Sequence, residues 1–204
     1  LSYSMKPDFS YYIDNKNTLK FGGQSLFYNF KPAEANFQNL NETNDISLPN
    51  KFAIENGVYL QNEQKIGARL SLLYGFRWSF FNYLGEGIKQ TYGDTTAGIS
   101  RPLVKEESFD KYETIESYNN FEPRFSIKYD LDENSSIKGS YNRMVQYLHL
   151  ISNTVASTPV DIWLPTTNNL KPQKADQIAV GYFRNFAKNK YEFSTEVFVK
   201  DFQN

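Results

Sequence analysis

Apolar and polar residues alternate most regularly between residues 66 and 80. Small or cationic residues occupy one parity, which only Leu73 interrupts. The apolar parity consists of Ile66, Ala68, Leu70, Leu72, Tyr74, Phe76, Trp78 and Phe80. Because successive side chains of a strand point to opposite faces, this alternation predicts a strand with one wholly apolar face. Its length of about fifteen residues exceeds the roughly nine to eleven residues with which a tilted strand crosses a bilayer core.

The same alternation predicts seven further strands. Proline removes a ladder donor, so Lys6, Pro7 and Asp8 are expected to interrupt the first strand. Gly22 and Gly23 predict a kink or bulge in the second strand. The eight predicted strands cover about 1–13, 18–30, 52–62, 66–80, 121–131, 137–147, 174–186 and 191–200.

The connections between these strands fall into two classes. Short turns are expected near residues 15, 64, 133 and 188, and long loops at about 31–51, 84–116 and 148–173. All the short turns lie at one end of the predicted hairpins, and all the long loops lie at the other. Outer-membrane barrels have short periplasmic turns and long extracellular loops. The sequence therefore predicts an all-β fold, an antiparallel transmembrane β-barrel wall, with extracellular loops at 31–51, 84–116 and 148–173.

The composition excludes several classes of protein. Hydrophobic residues make up 40% of the chain and the net charge is −1, and no stretch approaches the roughly twenty apolar residues of a spanning helix. The near-zero charge, without a cluster of Lys and Arg among aromatic residues, argues against a nucleic-acid partner. The absence of cysteine excludes disulfides, thiolate nucleophiles and cysteine-bound metals.

Several segments resemble a known family. The clearest are NNFEPRFSIKY (119–129), SIKGSYNR (136–143), QYLHLISNT (146–154), STPVDIWLP (157–165) and LKPQKADQ (170–177). They are similar to the barrel of TonB-dependent outer-membrane receptors of the Bacteroidota type. The resemblance implies a barrel of about twenty-two strands that is closed by a plug. Residues 1–204 are then expected to be a fragment of one barrel domain, an internal piece of a longer protein, without the plug. It also implies that Pro123 is accommodated by a local bulge.

The residues do not predict an enzyme, and no cofactor is expected. The only histidine is His149, and a Ser-His-Asp arrangement would have to combine it with Ser152 and Asp161, which loops of this composition contain by chance. No metal site is predicted either, because Asp94 and the acidic residues near it lack the spacing of a calcium loop.

Five residues are candidate contacts for a substrate or for the plug. Arg77, Glu122, Arg124 and Lys128 lie on the polar parity and face the predicted lumen, where structural ion pairing is the favoured interpretation. Trp163 lies between prolines in a predicted extracellular loop, where it can stack on a ligand, pack the loop or anchor it at the membrane interface.

The predicted function is active uptake of a scarce nutrient across the outer membrane. The resemblance implies three kinds of partner: outer-membrane lipid, the TonB complex acting through the plug region and the nutrient itself. Whether a surface lipoprotein is a further partner stays open. Siderophore, vitamin, glycan and peptide all remain open as substrates. The alternatives are a small eight-stranded outer-membrane barrel with a structural, adhesive or porin-like role, in which the first strand would pair with the eighth, and a soluble β-sandwich that binds carbohydrate.

Overall fold

The computed structural model describes residues 1–31, 34–39, 42–47, 50–94, 101–151 and 162–204. Its regular elements are all β-strands. They are β1 (Ser2–Met5), β2 (Asp8–Tyr12), β3 (Asn17–Phe30), β4 (Glu34–Asn39), β5 (Glu42–Ser47), β6 (Lys51–Ile66), β7 (Leu70–Leu84), β8 (Gly87–Tyr92), β9 (Leu103–Phe109), β10 (Thr114–Asp132), β11 (Ser135–Gln146), β12 (Leu148–Ile151), β13 (Ile162–Pro165), β14 (Gln173–Phe186) and β15 (Tyr191–Gln203). None of the described segments forms a helix with the length and apolar character needed to cross a membrane.

One antiparallel sheet contains nine of these strands, in the order β1-β3-β6-β7-β10-β11-β14-β15, with β2 also paired to β3. Strands β1 and β2 together are the predicted first strand. The interruption at Pro7 is confirmed, and the register is the same on both sides of it, with Met5 opposite Ser25 and Asp8 opposite Gly22. Each long strand therefore pairs with its sequence neighbour, which confirms the predicted succession of hairpins.

The turn between β6 and β7 lies later in the chain than predicted. It occupies residues 67–69 rather than the region of residue 64, and Ile66 pairs with Leu70. Gly67 has a φ of 65°, a left-handed conformation that glycine adopts without steric cost. Because the turn needs this residue, Ile66 ends β6 and does not begin the next strand.

The long connections are not simple loops. We name them L1 (31–50), L2 (85–113) and L3 (147–172). They contain the two-stranded sheets β4–β5, β8–β9 and β12–β13, which the alternation along the chain did not predict. Strand β10 also begins at Thr114, before the predicted residue 121. Parts of the predicted loops lie outside the described residues, as do Ser152 and Asp161.

Pro123 does not sit in a bulge, so that expectation was wrong. It pairs in register with Phe76 of β7. On its other side, the ladder between β10 and β11 extends only to Arg124, opposite Asn142. Proline has no N–H to donate, and it is accommodated here because the second ladder ends next to it. From this point toward L2 and L3, β10 and β11 are no longer paired.

The two faces of the sheet differ in exposure. We call the face that carries Phe76, Trp78 and Phe121 the outward face, and the face that carries Ser79 and Glu122 the inward face. Trp78 is 45% exposed and Phe121 is 52% exposed, whereas Ser79 is fully buried and Glu122 is 2% exposed. Soluble proteins bury their large apolar side chains and expose their charges. This sheet has the reverse arrangement, as a membrane wall requires.

The sheet is open. Strands β1 and β2 form one edge and β15 forms the other, and these edge strands are not paired with each other. A small eight-stranded barrel requires that pairing, so the sheet does not have the closure that this alternative predicts. A soluble sandwich requires a second large sheet. The other sheets of the described chain have only two strands each.

Candidate functional site

An ion cluster on the inward face connects four strands around Arg77 of β7. Its Nη2 atom lies 2.8 Å from Glu55 Oε1 of β6 and 3.5 Å from Gln24 Oε1 of β3. Its Nη1 atom lies 3.6 Å from Glu122 Oε1 of β10. A Cβ atom at Gly57 would approach Arg77 Nε to 2.9 Å, so this glycine leaves room for the guanidinium to lie across β6.

Glu122 depends on Arg77 for charge compensation. Its Oε1 atom is buried and accepts no hydrogen bond within the described chain, although it remains within ion-pair distance of Arg77. A buried carboxylate is unfavourable unless a counter-charge accompanies it. The cluster therefore combines two carboxylates with one guanidinium, and its geometry favours structural ion pairing for Arg77 and Glu122.

Tyr147, the first residue of L3, fastens that loop onto the inward face. Its ring stacks on Phe81 with 4.8 Å between centroids and an angle of 3° between planes. Its hydroxyl lies 2.7 Å from Ser79 Oγ and accepts a hydrogen bond of 2.9 Å from Asn120 Nδ2. Ala53 belongs to the same buried cluster. The side chain occupies the region where β10 and β11 are no longer paired.

Loops L2 and L3 are joined above the same face. Asn168 and Asn169 each donate a side-chain hydrogen bond to the carbonyl oxygen of Gln90, at 2.8 Å and 3.0 Å. Tyr118 of β10 donates to the carbonyl oxygen of Thr167 at 2.9 Å. These contacts hold the described residues of L3 against β8 and β10, so the described parts of the two loops form one layer over the inward face.

A cavity of about 460 Å³ lies beside this layer. That volume is within the range of sites for small ligands, roughly 300–1,000 Å³. The side chain of Trp163 is half-exposed at its wall. The lining also includes Tyr28, Glu55, Gln146, Lys200 and Phe202. The cavity therefore offers aromatic surfaces, a carboxylate, an ammonium group and an amide to a ligand.

The structure brings only some of the five predicted site residues close to one another. Arg77 and Glu122 are in contact, and Trp163 shares the cavity with Glu55, the carboxylate partner of Arg77. Arg124 faces inward, but no ion pair joins it to another described residue. Lys128 lies further toward the short turns, where it pairs with Asp130 at 2.8 Å. The cavity and the ion cluster are thus adjacent, and Lys128 lies outside both.

Several residues of this site were not predicted from the sequence. Glu55 was visible on the polar parity of the predicted third strand but carried no signal that separated it from other lumen charges. Tyr147 was assigned to the end of a strand, and nothing in the local pattern indicated its packing on Phe81. Lys200 joins the cavity only through the pairing of β14 with β15.

His149 lies in β12, within L3. Its Nε2 atom lies 3.1 Å from Thr166 Oγ1. Burial lowers the pKa of His149 from its ordinary value, because an apolar environment disfavours the imidazolium. No group of three potential metal ligands occurs among the described residues.

Comparisons with known proteins give two findings. A family model described as TonB dependent receptor-like, beta-barrel matches residues 2–204. Among solved structures, this chain is similar to the alcaligin outer membrane receptor FauA from Bordetella pertussis, with 15% identity and a TM-score of 0.44. The similarity covers 91% of this chain and 30% of that receptor. A comparison with curated proteins found no match. The Bacteroidota origin stays a prediction.

Proposed function

Because this chain belongs to the TonB-dependent receptor-like β-barrel family, we propose that it forms part of the wall of a transporter for active uptake of a scarce nutrient. The family is one of outer-membrane β-barrels, so the chain lies in the outer membrane. Strands such as β6, β7 and β10 are long enough to cross a bilayer when tilted, and their outward residues are apolar.

The proposed orientation places L1, L2 and L3 outside the cell. Residues 13–16, 67–69, 133–134 and 187–190 form the short connections at the opposite end of the sheet, where periplasmic turns of outer-membrane barrels lie. The proposed partners are a plug region, the TonB complex that acts through it, and a surface lipoprotein. The cavity beside L3 is then accessible from outside the cell.

The main support for the proposed site is that Trp163 and Glu55 line the same cavity. Tyr147 and the contacts between L2 and L3 hold the described residues of L3 in place before a ligand arrives, and such preorganisation improves affinity. A ligand can stack on Trp163 and donate hydrogen bonds to Glu55, with Lys200 and Gln146 as further polar contacts. A siderophore, a vitamin, a glycan and a peptide each contain groups that match this lining.

In the proposed mechanism, the nutrient binds on the loop side and TonB supplies energy to rearrange the plug. The polar inward face then provides hydrogen-bonding groups along the path to the periplasm. The protein makes and breaks no covalent bond in this cycle. Structural ion pairs such as that of Arg77 with Glu55 keep the wall rigid while the plug moves.

Whole-cell uptake of labelled probes tests the function. Cells that produce the full-length protein and cells with its gene deleted would be compared for uptake of a ferric hydroxamate siderophore, cyanocobalamin, a maltodextrin oligosaccharide and a synthetic oligopeptide. We expect uptake of one probe class that requires the gene and stops when a protonophore collapses the inner-membrane gradient. Uptake of all four at deletion level, or uptake insensitive to the protonophore, would overturn the proposal.

The two tryptophans of the chain provide a matched test of the site. Trp163 lines the cavity, whereas Trp78 lies on the outward face. We expect Trp163→Leu to raise the half-saturating concentration of the transported probe about tenfold, the loss typical of an aromatic anchor. Trp78→Leu should leave it unchanged. Equal half-saturating concentrations in the two variants would show that Trp163 is not part of the binding site.

A further inference from the structure

Charged residues are rare on the outward face, and one pair within it is neutralised. Arg143 lies on the apolar parity of β11. Its Nε and Nη2 atoms donate to the two carboxylate oxygens of Asp176 at 2.8 Å and 2.9 Å, and Tyr141 donates to the same carboxylate at 2.7 Å. A bidentate pair of this kind satisfies both charges. Arg143 therefore needs no partner outside the chain.

Lys111 is held at the loop end of the outward face by a defined turn in L2. The N–H of Gly85 donates to the carbonyl of Glu113 at 2.8 Å, and the N–H of Tyr112 donates to the carbonyl of Gly85 at 2.7 Å. The N–H of Glu113 donates to the carbonyl of Asp110 at 3.1 Å. Tyr112 has a φ of 66°, a conformation that is costly for a bulky residue. The turn is therefore fixed against the end of β7.

This turn covers aromatic residues of β3 and β6. The ring of Tyr112 lies 5.0 Å from that of Phe52 and 6.1 Å from that of Phe27. Lys111 Nζ lies 5.8 Å from the centroid of Phe52 and 5.2 Å from that of Tyr112. Phe52 is only 5% exposed, although it has the parity of the exposed outward residues. The ammonium group thus rests on an aromatic platform, and no described carboxylate pairs with it.

Arg184 occupies the corresponding position near the short turns. It lies on the outward face of β14, opposite Phe193 of β15. Its guanidinium carbon lies 5.2 Å from the centroid of Phe186, the last residue of β14, and the neighbouring Tyr182 contacts Phe193 with 6.5 Å between ring centroids. No salt bridge joins Arg184 to a carboxylate within the described part of the chain. Here too, a cation lies among outward aromatic side chains.

Lys111 and Arg184 lie toward the two ends of the sheet, and the ends of a membrane-spanning sheet are where a bilayer changes from acyl chains to headgroups. Aromatic residues concentrate at both membrane interfaces, and lysine or arginine near the surface attracts anionic lipid headgroups. The outward face carries a neutralised pair at Arg143, and toward each end it retains a cation that forms no salt bridge within the described chain. We propose that Lys111 and Arg184 bind the phosphate groups of lipid headgroups, Lys111 in the leaflet at the loop end and Arg184 in the leaflet at the turn end.

Lipid titration of the full-length receptor in neutral detergent tests this proposal. The melting temperature would be followed as diphosphoryl lipid A, phosphatidylglycerol, zwitterionic phosphatidylcholine or inorganic phosphate is added. We expect Lys111→Gln to raise the half-saturating concentration of lipid A about fivefold, and Arg184→Gln to do the same for phosphatidylglycerol, the loss of one surface cation. Lys105→Gln is the control, because Lys105 is exposed and already pairs with Glu107 at 2.7 Å.

Two results would overturn the assignment. The first is stabilisation by lipid that is identical in the wild type and in both variants. The second is an equal effect of inorganic phosphate at matched concentration, which would identify a general anion site. A change in gel mobility between unheated and heated samples shows independently that each variant forms its barrel. Because the titration measures no transport, its failure would leave the nutrient-uptake proposal intact.

Discussion

The outward and inward faces of the same strands are stabilised in opposite ways. On β7, the outward Trp78 is 45% exposed, whereas its neighbour Ser79 is completely buried. Outward residues make their principal contacts with lipid, so they need to be apolar but not tightly packed by protein. Inward residues such as Arg77 and Ser79 need specific partners, because they lie beneath loops or beside other charges.

The two faces should therefore differ in the substitutions that they tolerate. An outward position accepts any apolar side chain of suitable size, since lipid adapts to its shape. An inward position around Arg77 or Tyr147 depends on particular hydrogen bonds and charges. We therefore expect polar substitutions to be harmful outward, and loss of one polar partner to be harmful inward.

Loss of Arg77 should have the largest effect. Arg77→Met removes the counter-charge of Glu55 and of the buried Glu122, which we expect to reduce the free energy of unfolding by about 3–5 kcal/mol. Arg124→Met is the matched control from the same face, and should change that free energy by less than about 0.5 kcal/mol. Reversible urea unfolding of the full-length protein in detergent micelles measures both. Similar losses in the two variants would show that the Arg77 cluster has no special role.

Adjacent leucines give the next largest effect and test the two faces directly. Leu72 faces outward, opposite Gln64 and Ile127, and Leu73 faces inward, opposite Glu63 and Ser126. We expect Leu72→Arg to reduce the free energy of unfolding by about 2–4 kcal/mol, because the charge enters the acyl chains. Leu73→Arg places the same side chain beside Glu63 and should cost less than about 1 kcal/mol.

Urea unfolding in lipid vesicles decides between these leucine variants. If the order were reversed, the assignment of faces would be wrong. Equal, large losses of the free energy of unfolding in both variants would mean that water reaches neither face of β7.

Tyr147→Phe should have a smaller effect that isolates one inward hydroxyl. The variant keeps the stacking on Phe81 but leaves Ser79 and Asn120 without a common partner, at a cost of about 1–3 kcal/mol. Tyr191→Phe is the control, because Tyr191 is exposed on the edge strand. A double-mutant cycle with Asn120→Ala should give a coupling of about 0.5 kcal/mol or more. Additive losses would contradict the hydrogen bond between these residues.

The alternation of residue types was sufficient to predict the faces. The rows in which Val58, Trp78 and Phe121 stand side by side follow directly from parity. Parity also placed Glu122 on the inward face. This part of the fold is local, because each side chain only has to match the solvent on its own side.

The remaining features depend on contacts distant in sequence. Glu63, Gln64 and Lys65 have the composition of a turn, yet Glu63 pairs with Lys20 at 2.6 Å and extends β6. Tyr147 enters the site where the ladder between β10 and β11 ends, next to Pro123. Lys111 reaches the outward face through the hydrogen bonds of Gly85. No local pattern contains these relationships, so only the three-dimensional structure reveals them.

In the proposed orientation, the short turns lie in water at one end of the sheet, and they should respond to acid separately from the two faces. Hydrogen bonds from the Ser135 side chain and the Asn134 amide lower the pKa of Asp132 below its ordinary value of 3.8. The Asn17 side chain and the Lys16 amide lower the pKa of Asp14 likewise. A lowered pKa in the folded state means that the stabilisation is present above pH 3.8 and is lost as pH falls through the folded-state value.

The variants Asp132→Asn and Asp14→Asn should therefore differ from the wild type in melting temperature at neutral pH, and this difference should shrink below pH 3.8. Glu133→Gln alters the same turn as Asp132 but removes no hydrogen bond seen in the described chain, so its difference should stay constant. Melting curves at closely spaced pH values between neutrality and strong acid measure the effect. A difference for Asp132→Asn that persists in acid would show that the turn is stabilised by side-chain shape rather than by the ionised carboxylate.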